Sequence, residues 1–353
     1  MTENRNTSRL DPQGIAYGLL AAGLLTVLVI VGSRRLAFID PALVGYLFAT
    51  LFAVFGITYR YVVWLKRPPT RVYWRRGWQL FLEPRRLAKN LRRFPRVLWD
   101  NLIAQKFIGE RSPLRWWMHF CLFWGCVMAA AVTFPLVFGW IHFESRPDNP
   151  MVYRTFFFGF RVFDFPIRTA LSFIIFHLLD GAALLVLAGI VLSLRRRLND
   201  RGAMAVQQFG NDLVPLLMLF AISVTGLMLT VSSLWMDGRF YGFLALTHEV
   251  TVIFTLFYLP FGKFFHIFQR PAQLGVHFYR WAGEQGEPAR CRRCGEKYAS
   301  AMHIEDLRGV VDELGFDYRM GAPVEHYQFI CPACRRKILA LRQAEMLGGI
   351  FTR

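Results

Sequence analysis

Two groups of residues in this 353-residue chain have the types and spacing for chemistry. Four histidines, His119, His177, His248 and His266, lie in strongly apolar stretches, and two C-x-x-C knuckles, Cys291/Cys294 and Cys331/Cys334, lie near the C-terminus. An imidazole surrounded by lipid is costly to keep, so it usually has a function. His248 and His266 are eighteen residues apart in Gly242–Arg270, GFLALTHEVTVIFTLFYLPFGKFFHIFQR. In one continuous helix that spacing makes five full turns, so both rings leave the same face about 27 Å apart along the axis. The hydrocarbon core is about 30 Å thick, which puts one ring near each membrane face.

The elements that must position these rings are membrane spans. Hydrophobic residues make up 54% of the chain and charged ones only 19%, and apolar runs reach spanning length. The expected spans are Gly14–Gly32, Ala42–Leu65, Trp116–Ile141, Thr169–Leu194, Leu213–Trp235 and Gly242–Arg270. The first is too long for a signal-peptide core and precedes Ser33-Arg34-Arg35 rather than a cleavage site, so it reads as a retained helix. The net charge of +18 gathers beside the spans, which suits lipid headgroups and argues against a nucleic-acid partner. Residues 66–115 hold fourteen Lys/Arg against three acids, with Trp74, Trp78, Phe81 and Phe94 among them. They read as basic helices lying on the cytoplasmic leaflet. The positive-inside rule then puts both termini in the cytoplasm and 142–168 outside, with Arg34 and Arg35 as an exception. The localisation expected is the cytoplasmic (inner) membrane.

With that topology the histidines fall at paired depths, His119 with His266 near the inner face and His177 with His248 near the outer. Haem b needs two neutral imidazoles from facing helices in a bundle core. Gly125 and Gly181, near His119 and His177, would let a flat ring approach the backbone. Near the outer face, His142, Asp164, Asp180 and Glu249 are available as proton acceptors. Lys263 suits an inner propionate or the inner headgroups.

Span three (MHFCLFWG), span four with its RRR exit and span six (H…YLPFGKFFHIF) resemble the cytochrome b (gamma) subunit of respiratory nitrate reductase. They are also similar to the membrane cytochrome b subunits of heterodisulfide reductase-type complexes. The likeness covers about residues 100–270. It implies a five-helix core with two b-type haems, one inner and one outer. It also implies exchange of electrons with menaquinone or ubiquinone, and an iron–sulfur partner and a catalytic subunit on the cytoplasmic side. By that resemblance His119 and His266 hold the inner haem and His248 serves the outer. Those gamma subunits carry a further histidine ten residues after the first, where this chain has Ala129. Depth makes His177 the substitute, ahead of His142.

The cysteines give C-x2-C, thirty-six residues, C-x2-C, and four thiolates from two knuckles make a tetrahedral metal site. Zinc in a ribbon-like module is the first reading. The other is rubredoxin-like iron, although Arg335 stands where rubredoxin has its second glycine. Cys121 and Cys126 read as small core residues, and His303 and His326 as surface residues.

The fold expected is therefore an all-α membrane protein with six transmembrane helices, a five-helix cytochrome b core plus one N-terminal helix, and a small cytoplasmic zinc-ribbon-like module. It divides into 1–66 (two spans), 67–115 (basic interfacial segment), 116–270 (haem-binding core) and 285–353 (metal-binding module with the four cysteines). The function expected is that of a di-haem electron-transfer subunit. The alternative is a membrane anchor, sensor or transporter-like protein whose only metal site is the cysteine module.

Overall fold

The structure, a computed structural model, describes residues 10–346. Among the described residues, six helices are long and apolar enough to cross a membrane: Pro12–Gly32, Pro41–Lys66, Pro113–Val137, Ala170–Asn199, Phe209–Trp235 and Tyr241–Tyr258. Leu19, Phe48 and Phe254 on three of them stay more than 60% exposed, a surface suited to lipid rather than water. The chain has the build of a multi-pass membrane protein.

In order, the helices are α1 (Pro12–Gly32), α2 (Val44–Lys66), α3 (Pro68–Leu82), α4 (Pro84–Leu98), the single turn α5 (Lys106–Gly109) and α6 (Pro113–Val137). There follow α7 (Ala170–Asn199), the short α8 (Arg201–Ala205), α9 (Val214–Trp235), α10 (Tyr241–Tyr258), α11 (His266–Glu284), α12 (Ala301–Glu313) and α13 (Pro332–Met346). Strands β1 (Ile141–Ser145), β2 (Val152–Phe157) and β3 (Phe160–Pro166) form one antiparallel sheet in chain order. A second hairpin pairs β4 (Pro288–Arg290) with β5 (Lys297–Ser300).

The chain separates into two compact units, Met1–Val63 with Trp99–Gln269, and Trp64–Leu98 with Arg270–Arg353. The basic segment expected over 67–115 is thus divided at Leu98. Its first part belongs with the cysteine module, which sequence alone suggests is separate.

In the first unit, Asp11 caps α1 by accepting from the amides of Gln13 and Gly14, and Pro12 needs no N–H there. Close helix contacts use glycine. A Cβ on Gly125 of α6 would come within 2.6 Å of Val186, and one on Gly189 of α7 within 2.7 Å of Leu122. α7 therefore fills the space at Gly125 that was expected for a flat ring, as small residues do in membrane helix pairs. Gly181 faces open space.

Residues 142–168, expected as a connecting stretch, form the three-stranded sheet. Phe143, Tyr153 and Phe165 share one face and meet Phe176 of α7, with ring centres 5.7–6.2 Å from it. Arg34, the exception to the charge rule, is occupied here. Its guanidinium donates to the Gly159 carbonyl at the β2–β3 turn and lies over Phe38 and Phe156.

The last span differs most from expectation. α10 stops at Tyr258, and a new helix begins only at His266, so His248 and His266 do not share one continuous helix face. Pro260 supplies no N–H and its ring crowds the preceding turn. Its carbonyl accepts from the Arg60 guanidinium of α2 instead of a helical amide. A Cβ on Gly262 would fall 1.9 Å from the Tyr258 ring, so the chain can turn back only with glycine there.

In the second unit, α3 crosses α11 where two glycines meet: a Cβ on Gly77 would lie 3.2 Å from the Gly275 carbonyl oxygen. Phe81 packs on Phe278 and Tyr73 on Tyr279, with ring centres 4.8 and 5.3 Å apart. The buried Asn90 amide donates to the carbonyls of Leu80 and Phe81, satisfying the end of α3 before the turn into α4. α12 is fastened to α3 by Arg76–Asp306 and Arg71–Glu313. Asp306 also accepts from the Tyr279 hydroxyl at 2.8 Å, and burial followed by that carboxylate pushes the phenol up from its ordinary value. These pairings explain why the module does not stand apart: its acids face the basic helix.

Candidate functional site

His119 lies less than two turns into α6, after the Ser112 cap and Pro113 at the first turn. The segment before it is held by two tryptophans of the same helix. Trp116 Nε1 donates to the Ala104 carbonyl at 2.7 Å and Trp124 Nε1 to the Ile103 carbonyl at 3.3 Å. Gln105 follows with φ of +51°, a left-handed backbone uncommon for a residue with a side chain. Only 3% exposed, it presents Oε1 to His119 Nδ1 at 2.8 Å.

His266 opens α11 directly after the interruption of the helix, and its Nδ1 lies 2.6 Å from the Lys263 carbonyl. A carbonyl can only accept, so Nδ1 carries the proton and Nε2 keeps the lone pair. The same tautomer follows for His119 from the Gln105 oxygen. The two ring centres lie 6.3 Å apart with planes at 67°. Two imidazoles coordinating one metal from opposite sides, with bonds of about 2.0 Å, have ring centres roughly 6 Å apart. Metal-ligating histidines characteristically donate the other N–H to an oxygen. By their separation, these two residues could hold one metal centre between them.

The residues of the second expected pair are each bonded to a neighbouring side chain. His177 Nδ1 lies 2.7 Å from Asp180 Oδ2, and Thr230 of α9 donates to the other oxygen of that carboxylate. His248 Nδ1 lies 2.9 Å from the Thr225 hydroxyl, whose own proton goes to the Ala221 carbonyl. Thr225 and Thr230 are five residues apart, about 140° around α9. His248 and the His177–Asp180 pair therefore bond α9 at different points around its axis. Each ring has Nδ1 committed to an oxygen.

The polar residues considered for a quinone are also placed. Asp164 pairs with Arg161 and Glu249 lies against Gly45. His142 is stacked between Phe38 and Phe156, with ring centres 3.7 and 4.9 Å away and neither ring nitrogen hydrogen-bonded. Lys263 is bonded to Asp212 at 2.5 Å, and Arg197 approaches the same carboxylate at 3.5 Å. This cluster ties the ends of α7 and α9 to the turn before His266.

In the second unit, all four sulfurs of Cys291, Cys294, Cys331 and Cys334 lie within 4.8 Å of one another, and those of Cys294 and Cys331 are 3.7 Å apart. Metal–sulfur bonds of about 2.3 Å in a tetrahedron give edges of about 3.8 Å. The first knuckle turns between β4 and β5 through Gly295 at φ +75°. The second opens α13, so it comes from a helix start rather than a second hairpin. A helix N-terminus favours thiolate. Burial opposes ionisation of Cys291, but amides of Cys331, Cys294 and Arg293 outweigh it and bring the thiol down to about 6. Cys334 is pushed up to about 12, by burial first and then by its thiol neighbours. The cluster cannot hold four thiolates without a cation among them. His326, expected at the surface, is 5% exposed and accepts from the Gln328 amide through Nδ1, which makes it a cap rather than a ligand.

The chain matches no protein-family model, no curated protein and no solved structure.

Gln105 is the residue that sequence reasoning missed. Its sequence signal is slight, a lone amide in Ile103-Ala-Gln-Lys106 between two basic stretches, fourteen residues before the histidine it orients.

Proposed function

We propose that the chain is a haem-bearing membrane subunit that carries electrons between a quinone and an iron–sulfur partner on the cytoplasmic side. The observation that carries this is the 6.3 Å separation of the His119 and His266 rings, each with Nδ1 committed to an oxygen. A b-type haem held there supplies reversible one-electron chemistry. The protein's part is to keep Nε2 unprotonated on both rings. Gln105 does so at His119, and the Lys263 carbonyl at His266, where the chain turns back after Pro260. Asp212 and Arg197 hold that turn in place through Lys263. The quinone and the partner are supported by the resemblance over residues 100–270 and by the basic character of 66–115.

The His119–His266 pair supports one haem, and an outer centre at His177 and His248 is carried by the resemblance alone. The cysteine site is best read as structural zinc. The Arg335 amide donates to the Cys331 carbonyl, and its side chain binds Ile330 and Gln328, so no amide reaches a sulfur at the position of rubredoxin's second glycine. The test is a reduced-minus-oxidised spectrum and haem assay on the purified full-length chain. A single bis-histidine b-type signal, lost in His119→Ala and in His266→Ala, is expected. A chain that contains no haem when made with an ample haem supply overturns the reading.

A further inference from the structure

We propose that the arginine-lined cavity between the start of α6 and the end of α7 is a binding site for the phosphate of one anionic phospholipid. The cavity, about 660 Å³, is bounded by Arg111 and Arg115 on one side and by Arg195 and Arg196 on the other. Asp200 is the one acid in its wall and lies 3.8 Å from Arg196. Among the described residues, Arg111, Arg115 and Arg195 have no carboxylate within ion-pair distance. Arg196 has Asp200 beside it, and the other three guanidiniums round the space repel one another unless an anion joins them. Arginine forks match the oxygens of a phosphate in pairs. The amide-rich start of the 25-residue α6, capped by Ser112, adds further positive potential on the same side.

The flank of the cavity selects a lipid over a free anion. Leu114 lines it and is 41% exposed, and Trp117, one turn on, is 53% exposed. On α7, Val191 is 62% exposed and lies one turn toward the bilayer from Arg195 on the same helix face. A phosphodiester with acyl chains fills the charged space and covers this apolar strip. An inorganic phosphate would satisfy only the first. Basic pockets between membrane helices have this recognition chemistry in general. Neither the histidine pair nor the cysteine cluster contributes to the wall, so the site stands independently of the haem reading.

The test uses the full-length chain in phosphatidylcholine nanodiscs containing increasing fractions of phosphatidylglycerol, with lipid retained after detergent extraction counted by native mass spectrometry. The wild type is expected to keep a single phosphatidylglycerol, with a rise in melting temperature that phosphatidylcholine and millimolar inorganic phosphate do not reproduce. Arg111→Gln with Arg196→Gln is expected to weaken retention about 30-fold, from roughly fivefold per arginine near an anionic headgroup. Arg85→Gln with Arg92→Gln on α4, outside the cavity, should leave it unchanged. Equal retention in the cavity variant, an equal loss in the α4 variant, or full stabilisation by inorganic phosphate overturns the proposal. Should the cavity variant not fold, the wild type decides: no preference for phosphatidylglycerol over phosphatidylcholine refutes the site.

Discussion

The cysteine cluster draws its four sulfurs from two short knuckles within one hydrogen-bonded module, and each knuckle sets the spacing of its own pair. His119 and His266 have no such local guarantee. They come from α6 and α11, and they meet because one chain segment is pinned by two tryptophans and another is forced round at Pro260 and Gly262. In the first case the local backbone dictates the site. In the second, tertiary structure must be complete before the site exists. The consequence is that the histidine site depends on residues that touch no ligand, whereas the cysteine site depends mostly on the cysteines themselves.

The largest effect that tests this contrast is at the histidines. His266→Ala is expected to abolish the b-type signal altogether and to leave metal content at the cysteines unchanged. A variant that keeps full haem would break the comparison from the membrane side. Removing the metal attacks the other half. Structural zinc sites contribute on the order of 10–16 kcal/mol of folding free energy at neutral pH. A strong chelator, or Cys291→Ala, should therefore abolish cooperative melting of the second unit while the haem spectrum persists, as followed by calorimetry and absorbance on one sample. Loss of both signals together would show that the two sites are not separable.

A smaller effect sharpens the claim about remote support. Gln105→Leu removes the oxygen that fixes the His119 tautomer while keeping the residue's bulk. Loss of such a partner typically costs 10–100-fold in affinity. Haem should be retained in His119-intact protein but exchange to a competing apoprotein at least tenfold faster. Unchanged exchange would make Gln105 a packing residue only.

The second unit has its own smaller probe. Tyr279 is 2% exposed and donates to Asp306, with its phenol held above the usual tyrosine range by burial and then by that carboxylate. A raised folded-state value means the contribution is fully present below the unfolded value near 10 and is lost as pH rises through the folded one. Tyr279→Phe should cost about 2 kcal/mol at neutral pH, as for a hydrogen bond to a charged acceptor. The difference from wild type should shrink in strongly alkaline solution. A constant difference across pH would place the loss in packing.

What the sequence discloses follows the same division. The first five apolar runs and the two knuckles depend on local composition, and each is found where the residues suggest. The face shared by His248 and His266 rested on helix continuity over eighteen residues. Pro260 and Gly262 were the visible warning, but only the Tyr258 ring and the Arg60 guanidinium convert them from a bend into a break. The sheet of 141–166 was hidden because its aromatic residues read equally well as an interfacial loop. Its alternation acquires meaning only once Phe176 is known to lie beneath it. Gln105 was illegible because a left-handed φ at a side-chain-bearing residue leaves no mark in sequence. The union of α3 and α4 with the cysteine module was illegible too, since Arg71 and Arg76 look like lipid-facing charges until Glu313 and Asp306 are seen opposite them.

The least effect expected is the one that most directly divides one haem from two. His177 and His248 have the tautomers of ligands, yet Thr225 and Thr230 receive them at different points around α9. On the reading that His119 and His266 hold one haem, neither of these rings is needed for it. His177→Ala should therefore leave haem stoichiometry at its wild-type value, with the bis-histidine spectrum unchanged in shape. Asp180 would then lose one of its two partners while keeping Thr230, so a modest destabilisation of about 1–2 kcal/mol is expected in melting. A fall to half the wild-type haem would mean that two centres exist. In that event the pairing of His119 with His266 stands, and His177 serves the second centre.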